Sequence, residues 1–190
     1  MDDSKLGETY LDSARARYRA MKKAGEHAIA QMSDEDLHWA ANAECNTVAI
    51  IIQHLRGNML SRWTDPLTTD GEKPGRNRDG EFISDGGATR EALLAKWEEG
   101  WACLLAAMDS FSSEDLSKPI KIRGQELSLL DGINRQIFHS SYHVGQIVQI
   151  AKERLGERFD LRAFHDAVLS AGSLPLTILE KRIDTWIGRQ

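Results

Sequence analysis

Cysteine is nearly missing from this chain: there are two in 190 residues, Cys45 and Cys103, in no C-x-x-C pair. That argues against a disulfide scaffold and against a cysteine-rich zinc module. Both fall in helix-like sequence and are expected as reduced, buried thiols, a disulfide between them being the lesser alternative. No apolar run approaches the roughly 18–20 residues that span a bilayer. The opening stretch MDDSKLGETYLDSARARY is acidic and polar, unlike a secretory signal. The expectation is a cytoplasmic protein with no membrane partner. A basic stripe is missing too, and the net charge of -5 argues against nucleic acid as a partner. Strand-like alternation is almost absent, and there is no internal repeat or low-complexity tract. What remains is 41% hydrophobic and 28% charged, the balance of a soluble globular protein. The length suits one domain, or one domain with an appendage.

Apolar residues recur at helical spacing almost throughout. A first helix is expected from about Leu6 to Met32, with Leu6, Tyr10, Ala14, Arg17, Met21, Ala24, Ala28 and Gln31 near one stripe. Ser33 and Asp34 punctuate it, and 36–39 forms a short turn. Asn46 is the expected N-cap of a second helix, with Val48, Ile51, Ile52, Leu55 and Met59 on one face through Arg62. From Thr64 to Gly87 the period disappears among Pro66, Pro74 and five glycines, and so long a loop in a compact domain is functional or mobile. A third helix follows from about Ala88 to Ser110, burying Leu93, Leu94, Trp97, Trp101, Leu104, Leu105 and Met108. After a cap-like Ser112–Asp115 and an extended piece at 118–123, a fourth helix runs from about Glu126 to Leu155. Four such helices predict an all-α fold, an antiparallel four-helix bundle. Past Gly156 the pattern changes, and 161–171 and 175–186 read as two short extra helices. The division expected is therefore a bundle over 1–155 and a helical appendage over 156–190.

His54, His139 and His143 are the residues whose chemistry stands out. Two residues four apart on a helix share a face, with Cβ atoms about 5–6 Å apart, so His139 and His143 can converge on one ion. A third imidazole from a facing helix completes a three-nitrogen site with positions open to water or substrate, the mark of a catalytic rather than a structural metal. On a helical wheel all three lie at the edge of an apolar stripe, beside Thr47, Asn58, Ser61, Gln136 and Gln146, where a cleft between helices forms. The competing reading is a set of hydrogen-bonded core histidines. The sequence His139-Ser-Ser-Tyr-His143 lacks the glutamate of the His-Glu-x-x-His pattern, which excludes the zincin type of protease. Gln146 lies on the side of the pair and would orient it from behind, whereas Tyr142 points elsewhere and receives no role. His27, His38 and His165 have no spacing partner and are expected on the surface or in packing.

Three stretches carry a family resemblance: Ile50-Ile51-Ile52-Gln53-His54-Leu55, then 57–63 (GNMLSRW), and His139-Ser-Ser-Tyr-His143-Val-Gly145-Gln146-Ile147. Over about residues 1–155 the chain resembles the DinB/YfiT-like superfamily. The segments 68–74 (TTDGEKP) and 79–82 (DGEF) resemble one branch of it without an assigned activity. The resemblance implies a four-helix bundle, often a homodimer, holding a divalent metal such as zinc or nickel on His54, His139 and His143. It also implies thiol-dependent transferases and isomerases that use a small thiol cofactor. Residues from about 156 to 190, on the stretches 159–169 and 172–176, resemble instead the C-terminal end of a family of large bacterial zinc-peptidase-like proteins, without that family's metal motif, so no peptidase activity is implied.

Two functions follow as expectations. One is a divalent-metal-dependent S-transferase that joins a low-molecular-weight thiol to a small-molecule substrate. Coordination favours the thiolate, and the thiolate is the nucleophile. Arg62, Arg76 and Arg78, from the helix end and the long loop, would hold an anionic thiol. The plainer expectation for those arginines is a solvated loop face. The alternative function is a non-catalytic metal-binding or stress-related dimeric bundle, and a third reading is a helical domain that binds no metal.

Overall fold

The structure, a computed structural model, describes residues 3–84 and 87–162. Within them lie α1 (Asp3–Gln31), α2 (Asp34–Leu37), α3 (Val48–Trp63), α4 (Arg90–Ser110) and α5 (Leu129–Leu155). An antiparallel hairpin of β1 (Pro119–Ile122) and β2 (Gln125–Ser128) joins α4 to α5. The fold is all-α with this one small sheet. The short helices expected at 161–171 and 175–186, and His165, fall outside the described residues save for Leu161 and Arg162.

The helices start where a hydroxyl can take a backbone N–H that has no partner within the helix. Thr47 Oγ1 accepts from Ile50 N at 3.1 Å, Thr89 Oγ1 from Ala92 N at 3.3 Å, and Ser128 Oγ from Asp131 N at 3.1 Å. The expected cap Asn46 is thus displaced by its neighbour Thr47. The start of the last helix moves from 126 to 129, because Gln125–Ser128 is spent on pairing with β1. The hairpin turn places Arg123 at φ 55° and Gly124 at φ 74°, the signature of a two-residue type I′ turn.

The antiparallel bundle expected from sequence is corrected by the direction of the helices. α3 and α4 run parallel: Gln53 meets Lys96, Arg56 meets Glu99, and Met59 meets Cys103. So do α1 and α5, since Tyr10 reaches Asn134 near their starts and Gln31, the last residue of α1, meets Asp160 past the end of α5. The two pairs oppose each other, as Arg15 on the Met108 carbonyl and Lys22 on Glu98 require. The 16 residues of α3 span about 24 Å, and a chain that must begin α4 at the same end has to travel back along that length. The long segment after Trp63 is that return. It is a crossover demanded by topology.

It is also tied down. Ser61 Oγ and Arg62 donate to the Gly71 carbonyl at 2.7 and 2.8 Å, and Gly71 N donates to the Lys121 carbonyl of β1 at 2.8 Å. Further on, Gln53 Nε2 donates to the carbonyls of Gly80 and Glu81 at 3.0 and 3.2 Å. Gly80 and Glu81 belong to a single 3₁₀ turn, Asp79–Phe82.

Leu11, Ala14, Tyr18, Ala28, Ile51, Ile52, Leu55, Met59, Trp97, Trp101, Leu104, Ile133 and Ile147 form the heart of the core. The face of α1 turns slightly from the one expected: Leu6 and Arg17 are exposed, while Leu11 and Tyr18 are buried. Packing of α3 on α4 is close enough that a Cβ on Gly100 would stand 2.9 Å from Arg56 Cα, which only glycine avoids. Neither cysteine is disulfide-bonded. Cys103 is partly buried as a helix residue, but Cys45 is exposed. The thiol expected to be buried lies in the turn before α3, where no helix face carries it inward.

Candidate metal centre

α3 supplies one imidazole and α5 two, and the antiparallel contact of these helices brings them together. Their ring centroids lie 5.1 Å (His54–His139), 4.8 Å (His54–His143) and 4.6 Å (His139–His143) apart. One ligand atom from each falls within 4.8 Å of the others. The pair on α5 meets because its members are one turn apart. His54 reaches them because Ile51, Ile52 and Leu55 bury the adjacent stripe of α3 and leave position 54 at the seam.

The ring nitrogens have defined roles. His54 Nδ1–H donates to Glu81 Oε2 at 2.8 Å, and His143 Nδ1–H donates to Gln146 Oε1 at 2.8 Å. A carboxylate or amide oxygen can only accept, so both rings keep their proton on Nδ1 and present a bare Nε2. His54 Nε2 stands 3.1 Å from His139 Nε2. Either His139 Nε2–H donates to the bare Nε2 of His54, or both nitrogens face a cation. Tetrahedral ligands at 2.0–2.1 Å from one ion stand about 3.3 Å apart, close to the separation found. The three histidines therefore have the donor set to hold a metal ion.

Electrostatics point the same way. Burial, followed by repulsion from His143 and His54, lowers His139 to about 3. Burial and His54 lower His143 to about 4. Near neutral pH both are uncharged imidazoles, the form that ligates. Glu81 behaves oppositely: burial raises it, but hydrogen bonds from Arg76 and His54 outweigh burial and keep it ionised.

Glu81 is the site residue that sequence reasoning missed. It is buried, and Arg76 grips it with Nε on Oε1 at 2.7 Å and Nη2 on Oε2 at 2.9 Å. The room comes from Gly57, where a Cβ would stand 2.2 Å from Glu81 Oε1. The resulting chain, Arg76 to Glu81 to His54, fixes the tautomer and the tilt of the first imidazole. Nothing in helical spacing links a loop carboxylate to a histidine 27 residues away. The available signal was the glycine at 57 on an otherwise regular helix.

Other expectations divide. Gln146 does orient His143, as read from the wheel. His38 packs instead, bonding the Ala88 carbonyl at 3.0 Å, and neither His27 nor His38 joins the triad. The arginines were expected on a solvated face, and for two of them that is overturned. The side chain of Arg76 is 4% exposed and that of Arg62 11%, because the tethered crossover folds Arg76 against α3 and covers Arg62. Arg78 alone of the three is exposed. A cavity of about 150 Å³ opens beside His54 and His139, with Asn58, Trp63 and Gln136 in its wall.

Fold and site together define a helical bundle with a crossover-supported three-histidine cluster. The chain belongs to the family described as protein of unknown function (DUF1572), whose model matches residues 5–163. No curated protein and no solved structure matches it. None of its described helices is long and apolar enough to cross a membrane.

Proposed function

We propose that His54, His139 and His143 hold a divalent metal ion, zinc or nickel, and that the protein is an S-transferase joining a small thiol to an electrophilic small molecule. The observation that carries the metal is the gathering of three imidazoles, one ligand atom from each within 4.8 Å of the others, with His54 and His143 each held at Nδ1 from behind. Likeness to the DinB/YfiT-like superfamily supports the thiol chemistry. A bound divalent ion would supply a cationic position favouring thiolate over thiol. The chain's own part is to keep His139 and His143 neutral, to hold His54 through Glu81 and Arg76, and to leave one side of the cluster open to the cavity. In the reaction the thiol proton leaves to solvent, a sulfur–carbon bond forms, and the electrophile's leaving group departs with the electron pair of the broken bond.

A second reading is a non-catalytic, stress-related metal-binding homodimer. It draws on Phe138 and Tyr142, 76% and 58% exposed one turn apart on α5, an apolar pair suited to a second copy. Elemental analysis of untagged protein tests both. About one equivalent of a transition metal supports them, and less than about a tenth of an equivalent removes them. Monochlorobimane with a panel of low-molecular-weight thiols then separates them, since only the transferase releases chloride faster than a His54→Ala control.

A further inference from the structure

The wall of the cavity beside the histidines carries five guanidinium groups, from Arg62, Arg76, Arg78, Arg123 and Arg135. In a chain of net charge -5 this concentration is a local feature. Two carboxylates answer part of it. Glu72 meets Arg62 at 3.1 Å, Arg123 at 3.2 Å and Arg76 at 3.6 Å, while Glu81 is taken by Arg76. Arg78 and Arg135 meet no carboxylate among the described residues. The like charges burden one another: burial, then the proximity of Arg76 and Arg123, lowers the proton affinity of Arg62 despite the attraction of Glu72.

The same wall holds polar atoms with nothing to bond. Asn58 Oδ1 and Trp63 Nε1 are buried on residues 7% and 4% exposed, and neither has a partner. Such groups are costly to leave unmade, and as an acceptor and a donor beside guanidinium groups they suit an oxyanion that also carries a hydroxyl or N–H. The hairpin adds a third sign. Arg123 occupies positive φ, uncommon for a residue with a Cβ. Asp70 holds it there, accepting from Arg123 N at 2.9 Å and Gly124 N at 2.7 Å. That conformation belongs to the two-residue turn, and it fixes Arg123 at the wall of the cavity.

We infer that this cavity is a binding subsite for a small organic anion, a carboxylate or phosphate monoester, whose charged group lies among Arg78, Arg123 and Arg135 beside the histidine cluster. Its volume matches the roughly 150 Å³ that admits a benzene-sized molecule, so the ligand is a few carbon atoms long. The inference deepens the proposed function by naming the class of substrate or thiol. It rests on that reading only for the purpose of the anion, since the charge and the unpartnered atoms exist without a metal.

The test titrates malate, glycerol 3-phosphate and neutral glycerol into the full chain, metal-free and metal-loaded. Binding is read by calorimetry and by tryptophan fluorescence, with Trp63→Phe to assign the signal. Saturable binding of one of the anions below about 1 mM, no binding of glycerol, and a loss of about tenfold or more in Arg135→Gln and Arg78→Gln are the results expected. Both arginines are exposed and unpaired, so these variants should fold. The tighter anion tells carboxylate from phosphate. Absence of saturable binding by either anion, or binding that both variants leave unchanged, overturns the inference. A metal-loaded protein that fails this test keeps its metal centre, and anion binding that persists in His54→Ala stands although the metal reading falls.

Discussion

α5 meets α1 along one side and α3 along another, and the two seams are built from opposite materials. On the α1 side Leu11, Ala14 and Tyr18 are all buried, and the deeply buried Tyr18 hydroxyl is answered: it donates to the Ile133 carbonyl of α5 at 2.9 Å. On the α3 side the buried residues include His54, Asn58, Gln136, Ser140 and His143. There Gln136 Nε2 finds Ser140 Oγ at 3.0 Å, but Asn58 Oδ1 and His139 Nδ1 find nothing. A dry seam gains from every contact made on folding. A seam with unmet polar atoms gives up part of that gain, at about 1–3 kcal/mol for each unmet group, and such a sacrifice marks a site that awaits a ligand. The bundle thus uses one face of α5 to hold itself together and the other to present chemistry.

The comparison breaks most visibly on the dry side. Tyr18→Ala removes a fully buried aromatic ring and should cost about 3–5 kcal/mol, read as a lower urea midpoint. Metal bound per folded molecule should not change. A matching loss of metal in the folded fraction would mean that the seams are not independent. On the wet side His54→Ala should do the reverse. Metal affinity should fall by at least about 100-fold, while the unfolding midpoint of the metal-free protein stays within about 1 kcal/mol of the parent. That variant deletes a polar group from a buried place, so little packing energy goes with it. A fall of several kcal/mol without metal would make His54 a core residue first.

The same contrast explains what the sequence disclosed. Seams made by periodicity were legible: Val48, Ile51, Ile52, Leu55 and Met59 of α3, and Trp97, Trp101, Leu104 and Met108 of α4, all bury as their spacing requires. The gathering of His54, His139 and His143 was legible for the same reason, as each sits at the edge of a regular stripe. Helix direction was not. Periodicity is the same read up or down the axis, so the parallel run of α3 and α4 left no trace except the length of the segment joining them. Glu81 and Arg76 owe their positions, and Arg62 its cover, to that segment's hydrogen bonds with Gln53, Ser61 and Arg62, pairings with no repeat to announce them. The β-hairpin was half visible, because the extended piece at 118–123 stood out while its partner at 125–128 blended into the helix that follows.

Glu81→Gln sharpens the line between holding and presenting. The amide keeps the shape but not the charge, so His54 loses its firm acceptor and the buried Arg76 loses its counter-ion. Metal affinity should fall about 10–100-fold, read by competition with a chelating dye, with all three histidines still in place. If affinity holds within about twofold, the carboxylate merely neutralises Arg76 and has no bearing on the imidazole.

The smallest effect belongs to the far end of the dry side, where Asp36 ties α2 to the end of α5. Its carboxylate accepts from Ser33 N at 3.0 Å and from Arg154 Nε at 2.6 Å. The Ser33 hydrogen bond first, with the pairing to Arg154, lowers its pKa from 3.8 to about 2. A carboxylate held lower in the folded state than in the unfolded chain stabilises the fold above the unfolded value, and loses that contribution as pH falls toward the folded one. Full stabilisation of about 2 kcal/mol is therefore expected at pH 5 and above, declining between pH 4 and 2. Asp36→Asn should lower the urea midpoint by that much at pH 7 and by almost nothing at pH 2. Because Asp36 touches none of the histidines, its loss should leave metal affinity at pH 7 unchanged. An Asp36→Asn protein that keeps its stability at pH 7 would mean that the α1–α5 side is held by packing alone, with the polar clamp at its end contributing nothing.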